Sequence, residues 1–343
     1  MKKWVLIVAL FACVQAGAHA ASAPEKPRLV LAVGGQALLY YLPLTIAQQK
    51  GFFKAQGLDV SIVDFAGGAK ALQSLLGGSS DVVSGAYEHT ISMQAKGQRL
   101  VAFALEGTLP GMALAVRRDL AGKVRTARDL QGMKIGISAP GSATQMYLNM
   151  LLARNGLAPG AVAVIGVGSG AGAVAALQQG ELDALVSVDP TTTLLERQGS
   201  AQIRFDTRNA AGSKAVYDGD YLSAALYSSA QFVAQNPRTV QALANAMVMA
   251  LHWLAHATPE EIVAALPPAY YPQGKALYLQ ALASNRASYS PDGRFSLPAS
   301  RRVLQALLSV NPQLATANID LAQTFDNRFV DAARRTLPPV APR

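Results

Sequence analysis

The chain has 343 residues, 51% of them hydrophobic, and 30 lysines and arginines against 21 aspartates and glutamates, for a formal charge of +9. That length exceeds the ~100–150 residues of a typical domain, so two lobes are expected. The positive charge is scattered rather than interleaved with aromatics, which argues against a nucleic-acid partner, and a single cysteine, Cys13, leaves no basis for thiolate metal sites, disulfides or paired-cysteine chemistry.

The first 20 residues read as a signal peptide. Lys2 and Lys3 precede an apolar run over 4–14 that is too short to span a bilayer. Ala18-His19-Ala20 then supplies a small-residue cleavage site, so export with cleavage near Ala20 is expected. The alternative is a lipid anchor at Cys13, where Leu10-Phe11-Ala12-Cys13 forms a lipidation-like box into which Phe11 fits poorly. Cleavage after Ala20 would leave the exported chain without a cysteine.

Beyond a short Ala/Pro linker, short apolar runs alternate with amphipathic segments, the pattern of an α/β protein. Strands are predicted at 28–33, 59–65, 81–84 and 100–105. Between them lie a helix over 43–56, with Pro43 in its first turn and Gly51 able to end it early, and shorter helices at 69–76 and 88–95. A second series follows: strands at 112–116, 134–137, 162–167, 182–188 and 203–205, with helices from Ser142 through Asn155, at 173–179 and at 190–198. After a strand at 222–227 the remainder reads as helical, over 237–256, 260–266, 275–285, 299–308 and 319–334.

Several of these segments resemble one family in order. The run from Pro43 to Val60 (PLTIAQQKGFFKAQGLDV) is followed by FAGG at 65–68, DVVSG at 81–85 and DLQGMKIG at 129–136. SAPGS at 138–142, GELDA at 180–184 and NPRTVQALA at 236–244 complete the series. Together they resemble the nitrate/sulfonate/taurine type, and the related thiamine-pyrimidine type, of periplasmic substrate-binding proteins of ABC importers. The resemblance runs from about Leu29 to about Trp253; the last ninety residues match only loosely.

The resemblance implies a type II periplasmic binding protein fold: two lobes, each a mixed β-sheet flanked by helices, joined by two crossovers near 106–111 and 220–227. Lobe 1 would comprise 21–110 plus 222–343, and lobe 2 residues 111–221. It also implies a periplasmic monomer that captures a small molecule and delivers it to membrane permease and ATPase subunits. Neither the residues nor the resemblance asks for a cofactor or a metal.

In open α/β sheets, ligands sit beyond the C-terminal strand ends, at helix N-termini. In lobe 1 those positions offer Gly35, Gln36 and Tyr40, then Gly67 and Gly68, then Ser84, Tyr87, Glu88 and His89. In lobe 2 the leading candidate is the stretch holding Ser138, Gly141, Ser142 and Thr144, where hydroxyls and unpaired first-turn amides could hold a sulfonate, carboxylate or nitrate without a full counter-charge. Plain N-capping by Ser142 or Ser138 is the competing reading. Tyr40, Tyr41 and Tyr87 could stack on a ring, with at most one of the three expected to touch ligand. Glu88 would suit an amino or pyrimidine group, and Asp189 could bind an amine or simply cap the next helix.

An enzyme reading finds less support. No Gly-x-Ser-x-Gly elbow pairs with a nearby histidine. The glycine run at 166–172 places Ala171 or Ala173 where a dinucleotide fingerprint needs its third glycine. His252 and His256 have metal spacing, but no glutamate follows His252 and no third ligand is evident.

Overall fold

A computed structural model describes residues 23–336. The expected signal peptide and Cys13 lie outside the described residues. The first lobe opens with β1 (Arg28–Val33), α1 (Leu42–Gln49), α2 (Phe52–Ala55), β2 (Asp59–Asp64), α3 (Gly68–Leu76), β3 (Val82–Ala86), α4 (Glu88–Gln94) and β4 (Leu100–Leu105). Then come β5 (Met112–Arg117), β6 (Lys134–Ile137), α5 (Ala143–Arg154), β7 (Ala163–Gly166), α6 (Ala171–Gln178), β8 (Ala184–Val188), α7 (Thr191–Arg197), β9 (Ala201–Arg204) and α8 (Ala210–Tyr217). The chain returns through β10 (Ala224–Ser229) and ends in α9 (Ala230–Gln235), α10 (Pro237–His256), α11 (Pro259–Ala264), α12 (Lys275–Asn285), α13 (Leu297–Val310) and α14 (Arg328–Thr336).

The strands form two five-stranded sheets, ordered β2-β1-β3-β10-β4 and β7-β6-β8-β5-β9. In the first, β1 runs parallel to β2 and β3, while β10 is antiparallel to β3 and β4. In the second, β6 is parallel to β7 and β8, while β5 is antiparallel to β8 and β9. The odd strand in each sheet is the one that has just arrived from the other lobe. It enters at the C-terminal ends of the parallel strands and must run back along them.

Burial follows the sequence pattern. The central strands β3 and β8 are buried throughout, as expected for strands covered on both faces, whereas β2 at a sheet edge is largely exposed and ends in Asp59 and Asp64. In α3, Ala69, Leu72 and Leu75 recur at helical spacing and are buried, with Lys70 and Gln73 outside. Gly51 takes a left-handed φ of 71°, which separates α1 from α2 as its position in the predicted helix suggested.

The two crossovers lie side by side. The Tyr221 amide donates to the Thr108 carbonyl at 3.1 Å and the Ser223 amide to the Gly107 carbonyl at 3.0 Å. A Cβ on Gly107 would fall 2.4 Å from Ser223 Oγ and 3.1 Å from the Ser288 carbonyl oxygen, so any larger residue would have to displace the Ser223 hydroxyl.

Three departures from the predicted elements have physical causes. Helix α8 carries no clear apolar periodicity, and its one legible signal is Asn209, whose side chain accepts from the Gly212 amide at 2.9 Å as an N-cap. The helix expected over 319–334 begins only at Arg328, because Phe325 pairs with Ala102 at the edge of the first sheet and Thr324 is held by Tyr87. The C-terminal helices are not confined to lobe 1: α13 packs against both α4 and α5, and α12 against α7. One apolar core accordingly runs from lobe 1 through Val303 and Leu307 of α13 into lobe 2, while separate cores lie under α10 in lobe 1 and around α6 in lobe 2.

Candidate functional site

The C-terminal ends of both sets of parallel strands face one another across the interlobe cleft and enclose a narrow cavity. Lobe 1 contributes Gly34, Leu38, Tyr40, Tyr41, Gly68, Ala86 and His89 to its wall. Lobe 2 contributes Met112, Ser138, Ser142 to Thr144, Gly168, Ser169, Ala173, Leu185 to Val188 and Thr191. The space open to water centres is about 30 Å³, room for two or three waters at ~10–15 Å³ each. The wall contains no lysine, arginine, aspartate or glutamate.

One end of the cavity is polar. Helix α5 begins there, and Ser142 at its N-cap makes no capping bond to its own helix; its Oγ instead accepts the Ala69 amide of α3 at 2.9 Å, across the cleft. The Gln145 and Met146 amides bond the Ser142 carbonyl at 2.9 and 3.1 Å, which leaves the Ala143 and Thr144 amides at the start of α5 without an intrahelical acceptor. Thr144 Oγ1 accepts the Ser138 amide at 3.0 Å and shares a 2.8 Å bond with Ser138 Oγ, which fixes the loop before α5. From lobe 1, His89 reaches the same place. Its Nδ1 lies 2.9 Å from the Tyr227 hydroxyl, and its buried Nε2 has no hydrogen-bond partner among the described residues. Burial lowers the His89 pKa to about 4, opposed only in part by the nearby Gly141 carbonyl, so the ring is neutral at pH 7. The other end is apolar, formed by Leu38, Met112, Leu185, Val186 and Val188.

Of the residues singled out from sequence, Tyr40, Gly68, His89, Ser138, Ser142 and Thr144 line this cavity. The others lie off its wall, each for a visible reason. The amides of Gly35 and Gln36 both donate to Asp64 Oδ1, at 2.7 and 3.0 Å, and so tie their loop to β2. Gly67 is an interlobe contact: a Cβ there would come within 3.1 Å of both Ser138 Oγ and Ser142 Oγ. The Gly141 amide is taken by Gln145 Oε1 at 2.7 Å, and that residue lines a groove outside the cavity.

The remaining four are held by bonds within the fold. Ser84 donates to Glu106 Oε1 at 2.7 Å. Tyr87 bonds Ser300 at 3.0 Å and Thr324 at 2.6 Å beneath α13. Glu88 turns away to accept from the Tyr221 hydroxyl at the second crossover. Asp189 is fully occupied: Oδ1 accepts the Thr193 amide at 2.8 Å, and Oδ2 accepts from Arg208 at 3.0 Å and Asn285 at 2.5 Å. Its helix-capping role is therefore filled, and its side chain is fully buried off the cavity wall.

Tyr41, named from sequence with Tyr40 and Tyr87, lines the cavity beside Tyr40. Ser169 sits in the glycine-rich turn after β7, where the strand-end rule points. Sequence reasoning passed over other wall residues. Met112 and Ser187 lie inside strands and carry no local signal. His252 and His256, the pair at metal spacing, stack on each other at 4.5 Å, with His256 Nδ1 2.7 Å from the His252 carbonyl.

Comparisons with known proteins agree with this fold. The profile of the NMT1-like family matches residues 22–266. A solved structure from Bordetella bronchiseptica RB50 is 45% identical, with a TM-score of 0.87 over 91% of this chain and 98% of that one. The alkanesulfonate-binding protein SsuA from Xanthomonas axonopodis pv. citri, bound to MOPS, is 21% identical with a TM-score of 0.68 over 89% of this chain and 100% of that one. The periplasmic nitrate-binding protein NrtA from Synechocystis PCC 6803 is 19% identical with a TM-score of 0.71 over 92% and 90%. These last two establish the periplasmic binding protein fold. Among curated proteins, YtlA of Bacillus subtilis (strain 168) is 37% identical over 84 residues, a stretch spanning only 25% of its length.

Proposed function

The chain belongs to the NMT1-like family, and from that premise we propose that it is the periplasmic substrate-binding component of an ABC-type importer, holding a small oxyanion between its lobes. The observation that carries this reading is the cavity wall, which gathers hydroxyls, helix-start amides and a neutral imidazole from both lobes and no charged side chain. An anion is costly to bury unless donors surround it. Here Ser142, Thr144, the first turn of α5 and His89 supply them. In the tautomer in which Tyr227 donates to Nδ1, the His89 Nε2 carries the proton and is a donor for the guest.

The alternative guest, a thiamine-type pyrimidine, needs a carboxylate to receive its amino group. Glu88, the residue suited to that task, lies off the wall and is engaged with Tyr221, and no carboxylate lines the cavity. The oxyanion is therefore the favoured class, and sulfonates, carboxylates and nitrate are its members to test. Closure over the guest would present one combined surface of both lobes to the permease and ATPase subunits.

A thermal-shift screen tests the reading. Sulfonates, carboxylates or nitrate should raise the melting temperature and be recovered chemically unchanged. Turnover of the stabilising compound, or stabilisation by aminopyrimidines alone, overturns it.

A further inference from the structure

The inner cavity is not the only space at the cleft. A second chamber of about 180 Å³, against about 30 Å³ inside, adjoins it and shares Leu38, Ser169 and Thr191 as a common wall. Its other walls come from both lobes: the starts of α6 and α7 on one side, and the segment carrying Tyr270, Tyr271 and Tyr278 on the other. No charged side chain lines it. Tyr271 is held in place, with its ring edge-on to Tyr278 at 6.1 Å and the Lys275 ammonium 6.0 Å from its centre. The tyrosine wall belongs to residues 269–278, beyond residue 266 where the family match ends.

We propose that this chamber receives the tail of the guest, so that the substrate is an oxyanion bearing a ring-sized aryl or branched alkyl group rather than a bare inorganic ion. The proposal rests on the oxyanion reading above. Size decides it: the inner cavity has room for a headgroup only, while ~150 Å³ of apolar space suffices for a benzene ring. Chemistry agrees, because three tyrosines and the aliphatic walls of Val174, Leu194 and Leu277 offer a surface on which an apolar group is favoured and a charge is not. Leu38, half-buried between the two spaces, is the point where head and tail would meet.

Calorimetric titration with toluenesulfonate and methanesulfonate tests this, since the two share a head and differ in the tail. The wild-type chain should bind toluenesulfonate at least tenfold more tightly. That ratio should fall below threefold in Tyr271→Ala, which removes a wall, and in Ala171→Trp, which fills the chamber from an exposed position in lobe 2, with circular dichroism confirming that each variant is folded. Equal affinity for both probes in the wild type, or an unchanged ratio in either folded variant, overturns the proposal while leaving the oxyanion reading intact. Failure of both probes and of benzoate to bind overturns the proposal, and failure of nitrate as well overturns the oxyanion reading with it.

Discussion

Ser142 does at residue scale what the clamp does at large: its hydroxyl joins α5 of lobe 2 to the Ala69 amide of lobe 1. Removing it unpairs a buried amide at this interlobe contact, at a cost of ~1–3 kcal/mol. Thr144 anchors the loop that aims the α5 amides. Ser142→Ala combined with Thr144→Ala should weaken ligand binding at least tenfold, equivalent to about 1.4 kcal/mol. Unchanged affinity by calorimetry would remove this loop from the site. The loop was legible in the sequence because serine, threonine and glycine at a strand-to-helix junction have a physical meaning there. Tyr87 and Glu88 were misread because the strand-end rule locates a junction but not the rotamers of its side chains, and both found partners inside the fold.

Two buried carboxyls make a second residue-scale prediction. Burial pushes Glu106 up to about 8 and Glu88 up to about 7, opposed in part by the Ser84 hydrogen bond and the nearby Leu44 amide at the first and by the Tyr221 hydrogen bond at the second. Both ordinarily titrate near 4.5, so the folded chain holds more protons than the unfolded chain from there to about pH 8. Their ionisation therefore removes stability as pH rises through that window. His89 acts in the opposite sense: its folded value of about 4 lies below the ordinary 6.5, so its contribution is complete above pH 6.5 and is lost as pH falls towards 4. Between pH 6.5 and 8 only the carboxyls operate among these three. The melting temperature should fall across that interval, and Glu106→Gln should flatten the fall; a level or rising profile in the wild type contradicts the assignment.

At the scale of elements, all ten strands of the described residues were legible, because apolar runs bounded by glycine, proline and acidic residues mark them plainly. Helix α8 was not. Its sequence holds Gly212 near the start and little periodicity, and it is fixed by its cap and by tertiary fit. A Cβ on Gly212 would lie 1.6 Å from the Asp206 carbonyl oxygen. In an ordinary helix Gly→Ala gains ~1 kcal/mol, but here the collision outweighs that gain. Gly212→Ala should cost ~1–3 kcal/mol, more than the ~1 kcal/mol expected for Asn209→Ala at the cap. Urea unfolding checks the order, and a stabilised Gly212→Ala would show that α8 does not sit against Asp206 as described. The predicted helix over 319–334 failed for a related reason: Phe325 gains more from pairing at the sheet edge and stacking on Phe295 at 5.3 Å than from continuing a helix.

At the scale of the whole molecule, two sheets with matching strand order meet strand-end to strand-end, joined by paired crossovers and bridged by α12 and α13. The lobe plan came from segments resembling one family in order, which carried it further than periodicity alone could. The C-terminal bridge was not legible, since helical periodicity says which face is apolar but not which lobe covers it. On the proposed function, the uncharged donors of both lobes select an oxyanion. The decisive experiment is calorimetric titration with ring compounds alike except for the head, one sulfonate, one carboxylate and one ammonium. A sulfonate or carboxylate should bind at one site per chain and the ammonium compound not at all; tight binding of the ammonium compound with neither oxyanion would refute the selection.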